Sequence, residues 1–175
     1  MKTSIIINSI CILLLVSCLN FPQQEDTIIR IGTFDSRCIA IAYGRSAEFM
    51  KEMDSIRSEL AKAKEEGNNE LIEKIEQLGP TRQVLMHQQG FSNGSIINIL
   101  AKLKEKFPAI ADDNDVQMIM SKWEIMFADE SIELVDITDQ LVDYFNPNEE
   151  TRKILEQVKS IDPVPIEEIY VNPMD

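Results

Sequence analysis

From the N-terminus, the apolar positions of this 175-residue chain fall into successive rhythms. A nearly unbroken run comes first, Ile5 to Val16, interrupted only by Asn8 and Ser9 and preceded by Lys2. It matches the roughly 7–15 residues of a signal-peptide core and is short for a bilayer of about 30 Å. Thr27 to Phe34 is β-branched and half-alternating, which predicts a strand. Asp35 and Ser36 are capping residues that open a helical turn through Arg37 to Tyr43. Past Gly44 the period lengthens: Phe49, Met53, Ile56, Leu60 and Ala63 are spaced 4, 3, 4, 3, the rhythm of a helical seam that needs a partner. Glu66-Gly67-Asn68-Asn69 breaks it, and Leu71, Ile75 and Leu78 resume it at 4 and 3, predicting a helical hairpin. Gly79-Pro80 is expected to kink or interrupt the return helix before Val84, Leu85 and Met86. After a second break at Phe91-Ser92-Asn93-Gly94, Ser95 caps a helix with Ile96, Leu100, Leu103 and Phe107, which Pro108 is expected to end.

The texture changes beyond Asp112-Asp113-Asn114-Asp115. Val116 to Met120 alternates as a strand, Trp123 to Ala128 predicts a second, and Glu133 to Val135 is short and extended. Asp136-Ile137-Thr138-Asp139 starts a helix with Leu141, Val142 and Phe145 on its apolar face. Asn146-Pro147, with Glu149 behind, reads as the cap of a last helix to about Ser160. Ile161 to Asp175 holds Pro163, Pro165 and Pro173 and reads as an extended tail. One strand before the helices and two or more after them define an α+β fold: a small sheet with a helical hairpin inserted between its strands. A helix from Arg45 to Glu66 would be roughly 33 Å long, a protrusion or a bundle arm. The same stripes also suit plain core packing in a compact helical bundle.

Charge narrows the function. Net charge is −13, from 17 Lys/Arg against 30 Asp/Glu, and a nucleic-acid surface normally carries a basic excess. From Cys18 to Ala111 the chain is near neutral, with 12 basic and 13 acidic residues; from Asp112 onward there are 4 and 17. The acidity therefore belongs to the C-terminal third. One histidine and three cysteines are too few for a zinc or iron–sulfur centre, and no metal or cofactor is expected. No G-x-S-x-G, G-x-x-x-x-G-K-[ST] or G-x-G-x-x-G occurs, and His87 stands without a nucleophile motif, so no enzyme activity is expected. Asp112 to Asp115 lacks the glycine and spaced glutamate of a calcium loop and reads as a solvated loop.

Leu15-Val16-Ser17-Cys18 resembles the lipobox of bacterial lipoproteins, with ordinary signal cleavage nearby or an uncleaved anchor as the other readings. The resemblance implies a signal peptide over 1–17, lipid attachment at Cys18 and a short linker over 18–27. Cys11 is then removed and Cys18 blocked, which leaves Cys38 without a disulfide partner, a small buried hydrophobe.

The segment Lys122 to Pro147 resembles the OmpH/Skp family of periplasmic chaperones. Phe127, Ala128-Asp129, Asp136-Ile137-Thr138-Asp139, Leu141-Val142 and Asn146 stand where that family closes with a strand, an Ala-Asp turn and a short amphipathic helix. The strand Ile28 to Phe34, Asp35 and the charged hairpin that follows are similar in order. The resemblance covers about 28–66 and 116–147. It implies a domain over 28–147, with body strands at 28–35 and 116–137 and a helical arm at 44–107, followed by a helix and tail over 148–175. It also implies a homotrimer whose strands form a small barrel and whose hairpins project as tentacles around a cavity. Unfolded outer-membrane or envelope proteins would be held there without ATP, in the periplasm, with the lipid fixing the chain to a membrane, the outer one by expectation.

In that setting Phe49, Met53, Ile56, Leu60, Leu71, Ile75 and Leu78 form the hairpin seam. Met50, Val84, Met86 and Phe91 are the candidates for touching clients, methionine being adaptable to varied surfaces. The sequence departs from the family in its near-neutral arm, its acidic body end, the Pro80 and Phe91–Gly94 interruptions, and the added tail. The rival expectation is a membrane-anchored structural or adaptor lipoprotein whose arm binds one folded envelope partner.

Overall fold

The computed structural model describes residues 28–169. The signal-peptide run, Cys18, the linker through Thr27 and the last six residues of the tail lie outside the described residues. The elements run β1 (Ile29–Phe34), α1 (Ser36–Gly44), α2 (Ala47–Glu66), α3 (Asn69–Phe91), α4 (Ile97–Leu103), α5 (Phe107–Asn114), β2 (Met118–Ser121), β3 (Ile132–Asp136), α6 (Thr138–Asp143) and α7 (Glu149–Lys159).

Local chemistry sets most boundaries. Asp35 caps α1 by accepting from the Arg37 N–H, Ser46 caps α2 by accepting from the Phe49 N–H, and Asn68 caps α3 by accepting from the Leu71 N–H. Gly67 ends α2 at φ 69°, a left-handed turn that favours glycine. Gly94 is needed for closeness: its N–H donates to the Gln88 carbonyl, and a Cβ there would lie 2.8 Å from that oxygen.

The three strands are parallel, in the order β2-β1-β3. Ile31 lies opposite both Met118 and Leu134, and Gly32 opposite both Ile119 and Val135. Helices α1 to α5 form the crossover from β1 to β2, while residues 122–131 alone lead back to β3 on the other side of β1. The sheet is open. Its edge strands each pair only with β1, so the barrel expected for the body is not closed within one chain; three strands are too few to curl onto themselves.

Five sequence expectations change locally. Trp123 to Ala128 is not a strand: Lys122–Glu124 is a 3-10 turn, because the Trp123 side chain is drawn across the end of β1 by Asp35. Pro80 does not interrupt α3, which runs on through it. The preceding Gly79 has no Cβ to clash with the proline ring, this stretch faces solvent, and the Thr81 hydroxyl donates to the Gln77 carbonyl at 3.2 Å. Pro108 begins a helix instead of ending one, standing in the first turn of α5 where its missing N–H costs nothing. The last helix is capped by Asn148, which accepts from the Thr151 N–H at 2.8 Å; Asn146, at φ 50°, forms the turn before it. The described part of the tail is also not simply extended: Ile166–Ile169 is a 3-10 turn, and the Val164 N–H donates to the Phe91 carbonyl.

The core surrounds α1. Cys38, Ile39 and Ala42 are buried with Ile99 of α4, Ile110 of α5, Leu141 and Val142 of α6 and Leu155 of α7. The Tyr43 ring meets Phe49 and Phe145 edge-on at 5.4 and 5.6 Å. Helices α2 and α3 pack on each other, with Lys64 and Glu76 3.0 Å apart, and α3 also packs on α1.

Candidate functional site

The sheet register sorts its side chains onto two faces. Phe34, Ile119 and Val135 point into the core, and Gly32 lies among them because a Cβ would meet Ile137 and Val116 at 3.2 Å. The other face carries Ile29, Ile31, Met118, Met120, Ile132 and Leu134, an apolar set across all three strands. Ile29, Met118 and Leu134 are about half exposed, at 53%, 54% and 46%. In the segment expected to be a strand, Met126 and Phe127 are 93% and 83% exposed.

A second apolar surface lies on the helices. Met50 on α2 and Val84, Leu85, Met86 and Phe91 on α3 are all exposed. Phe49, Met53, Ile56, Leu60 and Leu71 are half-buried and Ile75 is buried, whereas Leu78, read as a seam residue, is exposed. The structure brings Met86 and Phe91 together with Phe49 around one crevice between the first four helices; Met50 and Val84 do not line it. Cys18 lies outside the described residues.

At the C-terminal end of β1 sits a buried charge cluster that sequence reading did not find. Asp35 and Arg37 are each 1% exposed and 2.8 Å apart. Asp35 also accepts from Trp123 Nε1 at 3.1 Å and from Lys122 Nζ at 3.0 Å. Burial alone would raise the Asp35 pKa, but hydrogen bonds from Arg37, Lys122 and Trp123 outweigh it and hold the carboxyl at about 2. Arg37 donates further to the carbonyls of Val158 and Ile161 and stacks on Trp123, 4.7 Å from the ring centroid. The cluster ties β1, β2 and the end of α7 together and its polar groups are engaged with one another, so it reads as structural. Asp35 was legible only as a helix cap, since nothing local announces contacts with residues 122, 123, 158 and 161.

Two further side chains that could carry chemistry, Cys38 and His87, lie on the helices. Burial pushes the Cys38 thiol up to about 12, with Sγ 3.9 Å from the Leu155 carbonyl. The His87 ring packs against Phe91 at 5.5 Å. Among the described residues no group of three His, Cys, Asp or Glu could hold a metal ion, and no helix is long and apolar enough to cross a membrane. No family model, curated protein or solved structure matches this chain.

Proposed function

We propose that this chain is an ATP-independent holdase of the OmpH/Skp type, anchored through Cys18 in the periplasm, which keeps unfolded envelope or outer-membrane proteins from aggregating. The observation that carries the reading is the number of exposed apolar side chains on α2 and α3: Met50, Val84, Leu85, Met86 and Phe91. A holdase needs many weak, adaptable apolar contacts on a surface that does not close over itself, and unbranched methionines provide them. The bare apolar face of the sheet supports the trimer: three chains meeting through it would bury Ile29, Met118 and Leu134, and the arms would project from the shared body. The resemblance of residues 128–147 to the family's closing turn and helix supports the same assembly, while residues 123–128 lack the strand that the resemblance implied.

The deciding experiment measures aggregation of several unfolded outer-membrane proteins, without ATP, in the presence of the chain. Substoichiometric suppression of more than one of them is expected. Binding of a single folded partner with no suppression would favour the adaptor reading instead.

A further inference from the structure

A crevice of about 350 Å³ opens between α1, α2, α3 and α4, at the small end of the roughly 300–1,000 Å³ typical of small-molecule sites. Its walls include Ile41, Phe49, Leu85, Met86 and Phe91. Gly44 lets α1 and α3 approach there; a Cβ on it would come within 3.2 Å of the Met86 methyl. Polar groups of the wall are mostly engaged. Glu52 is held by Lys102 Nζ at 2.8 Å and by the Tyr43 hydroxyl at 3.0 Å, and Arg45 by Glu150 at 2.7 Å and Thr151 at 3.0 Å. Among the described residues His87 meets the Phe91 ring without a hydrogen bond, and the charged group of the wall left without an ion pair is Arg82. It is half-buried and lines the crevice, no carboxylate of the described residues is within ion-pair distance of it, and Glu52 acts on it only through space.

We propose that this crevice binds a single-chain anionic amphiphile, an alkyl carboxylate or alkyl phosphate, with the chain against Met86 and Phe49 and the head at Arg82. Apolar walls select an apolar body, and a guanidinium with no carboxylate in ion-pair contact selects a negative head, the nearby Glu52 being already held by Lys102. The complementarity is local, since the chain as a whole carries −13. A peptide strand fits less well: it needs free backbone donors and acceptors along its length, and helical walls offer few because their own ladders use them. The site does not depend on the holdase reading.

The test uses the full chain with ¹³C-methyl methionine, the Met86 signal being assigned by Met86→Leu, and titrates decanoate, decyl phosphate, decanol and decyltrimethylammonium. Decanoate and decyl phosphate should shift the Met86 methyl in a saturable, one-to-one manner, and the cation should bind about tenfold more weakly or worse, the effect of one charged hydrogen bond. Arg82→Gln should weaken both anions about tenfold and leave decanol unchanged, while Arg82→Lys should keep most of the affinity. Met86→Trp, filling the crevice, should abolish binding of all of them with the circular dichroism spectrum unaltered. Equal binding of anion and cation, decanoate binding indifferent to Arg82→Gln, or no saturable shift would overturn the proposal. A preference for decyl phosphate over decanoate would place the source of the ligand among phosphorylated lipids.

Discussion

The Asp35 carboxylate receives five donors: three from Arg37, one from Trp123 and one from Lys122. Its pKa is held at about 2, against about 3.9 for a free aspartate, so the ionised form is favoured by folding. A depressed carboxyl contributes stability that is present above the unfolded pKa and lost as pH falls through the folded one. Denaturant unfolding should therefore show on the order of 2 kcal/mol lost between about pH 4 and pH 2, a loss absent from Asp35→Asn. At pH 7 that variant leaves Arg37 buried beside a neutral amide and should cost about 3–5 kcal/mol, the usual effect of breaking a buried pair. Residue-scale reading of the sequence reaches the cap at Asp35 and the burial of Cys38, because the first depends on near neighbours in the chain and the second on residue type. The charge cluster was out of reach for the opposite reason: Arg37 meets carbonyls 121 and 124 residues away.

At the scale of elements, periodicity located the paired helices well because the 4, 3 spacing reports directly on which face is covered. Ile75, 7% exposed, and Leu78, exposed, mark where that inference holds and where it ends. Ile75→Ala should cost about 2–4 kcal/mol in equilibrium unfolding, whereas Leu78→Ala should stay within about 0.5 kcal/mol. Prolines misled because their effect depends on position within a turn, which spacing does not give. Pro108 sits in a first turn, and Pro80 sits in mid-helix behind a glycine. Pro80→Ala restores a backbone donor without touching the core, so Tm should rise, with a gain of up to about 3 kcal/mol. The strand expected over Trp123 to Ala128 had a convincing pattern of its own, and it gave way to one long-range hydrogen bond from the indole to Asp35.

For the whole molecule, the consequential features are the bare sheet face and the uneven charge. If three chains join through that face, light scattering on residues 19–175 should give about three times the monomer mass. Met118→Glu with Leu134→Glu should yield a folded monomer, since both side chains are about half exposed in the single chain. A monomeric parent chain would remove the trimer from the proposal. Replacing Met50, Val84 and Met86 with Ser or Gln should leave Tm nearly unchanged and weaken aggregation suppression in a graded way, because these residues are exposed. Salt should help binding of anionic clients by screening the acidic C-terminal third.

The parallel topology has a kinetic consequence. β1 is the first element of the described residues to leave the ribosome, yet it is the central strand, and both of its partners lie far downstream: Arg30 contacts Gln117 and Glu133, 87 and 103 residues later. The helices can form while synthesis proceeds, but the sheet cannot begin until residue 118 has emerged and cannot be completed until residue 136 has. During that interval the Ile28–Phe34 segment, apolar and β-branched, has no strand to pair with. High sequence separation of this kind slows folding and lengthens exposure to wrong partners. A protein proposed to shelter the unfolded chains of others would thus pass through its own vulnerable stage at the end of every synthesis.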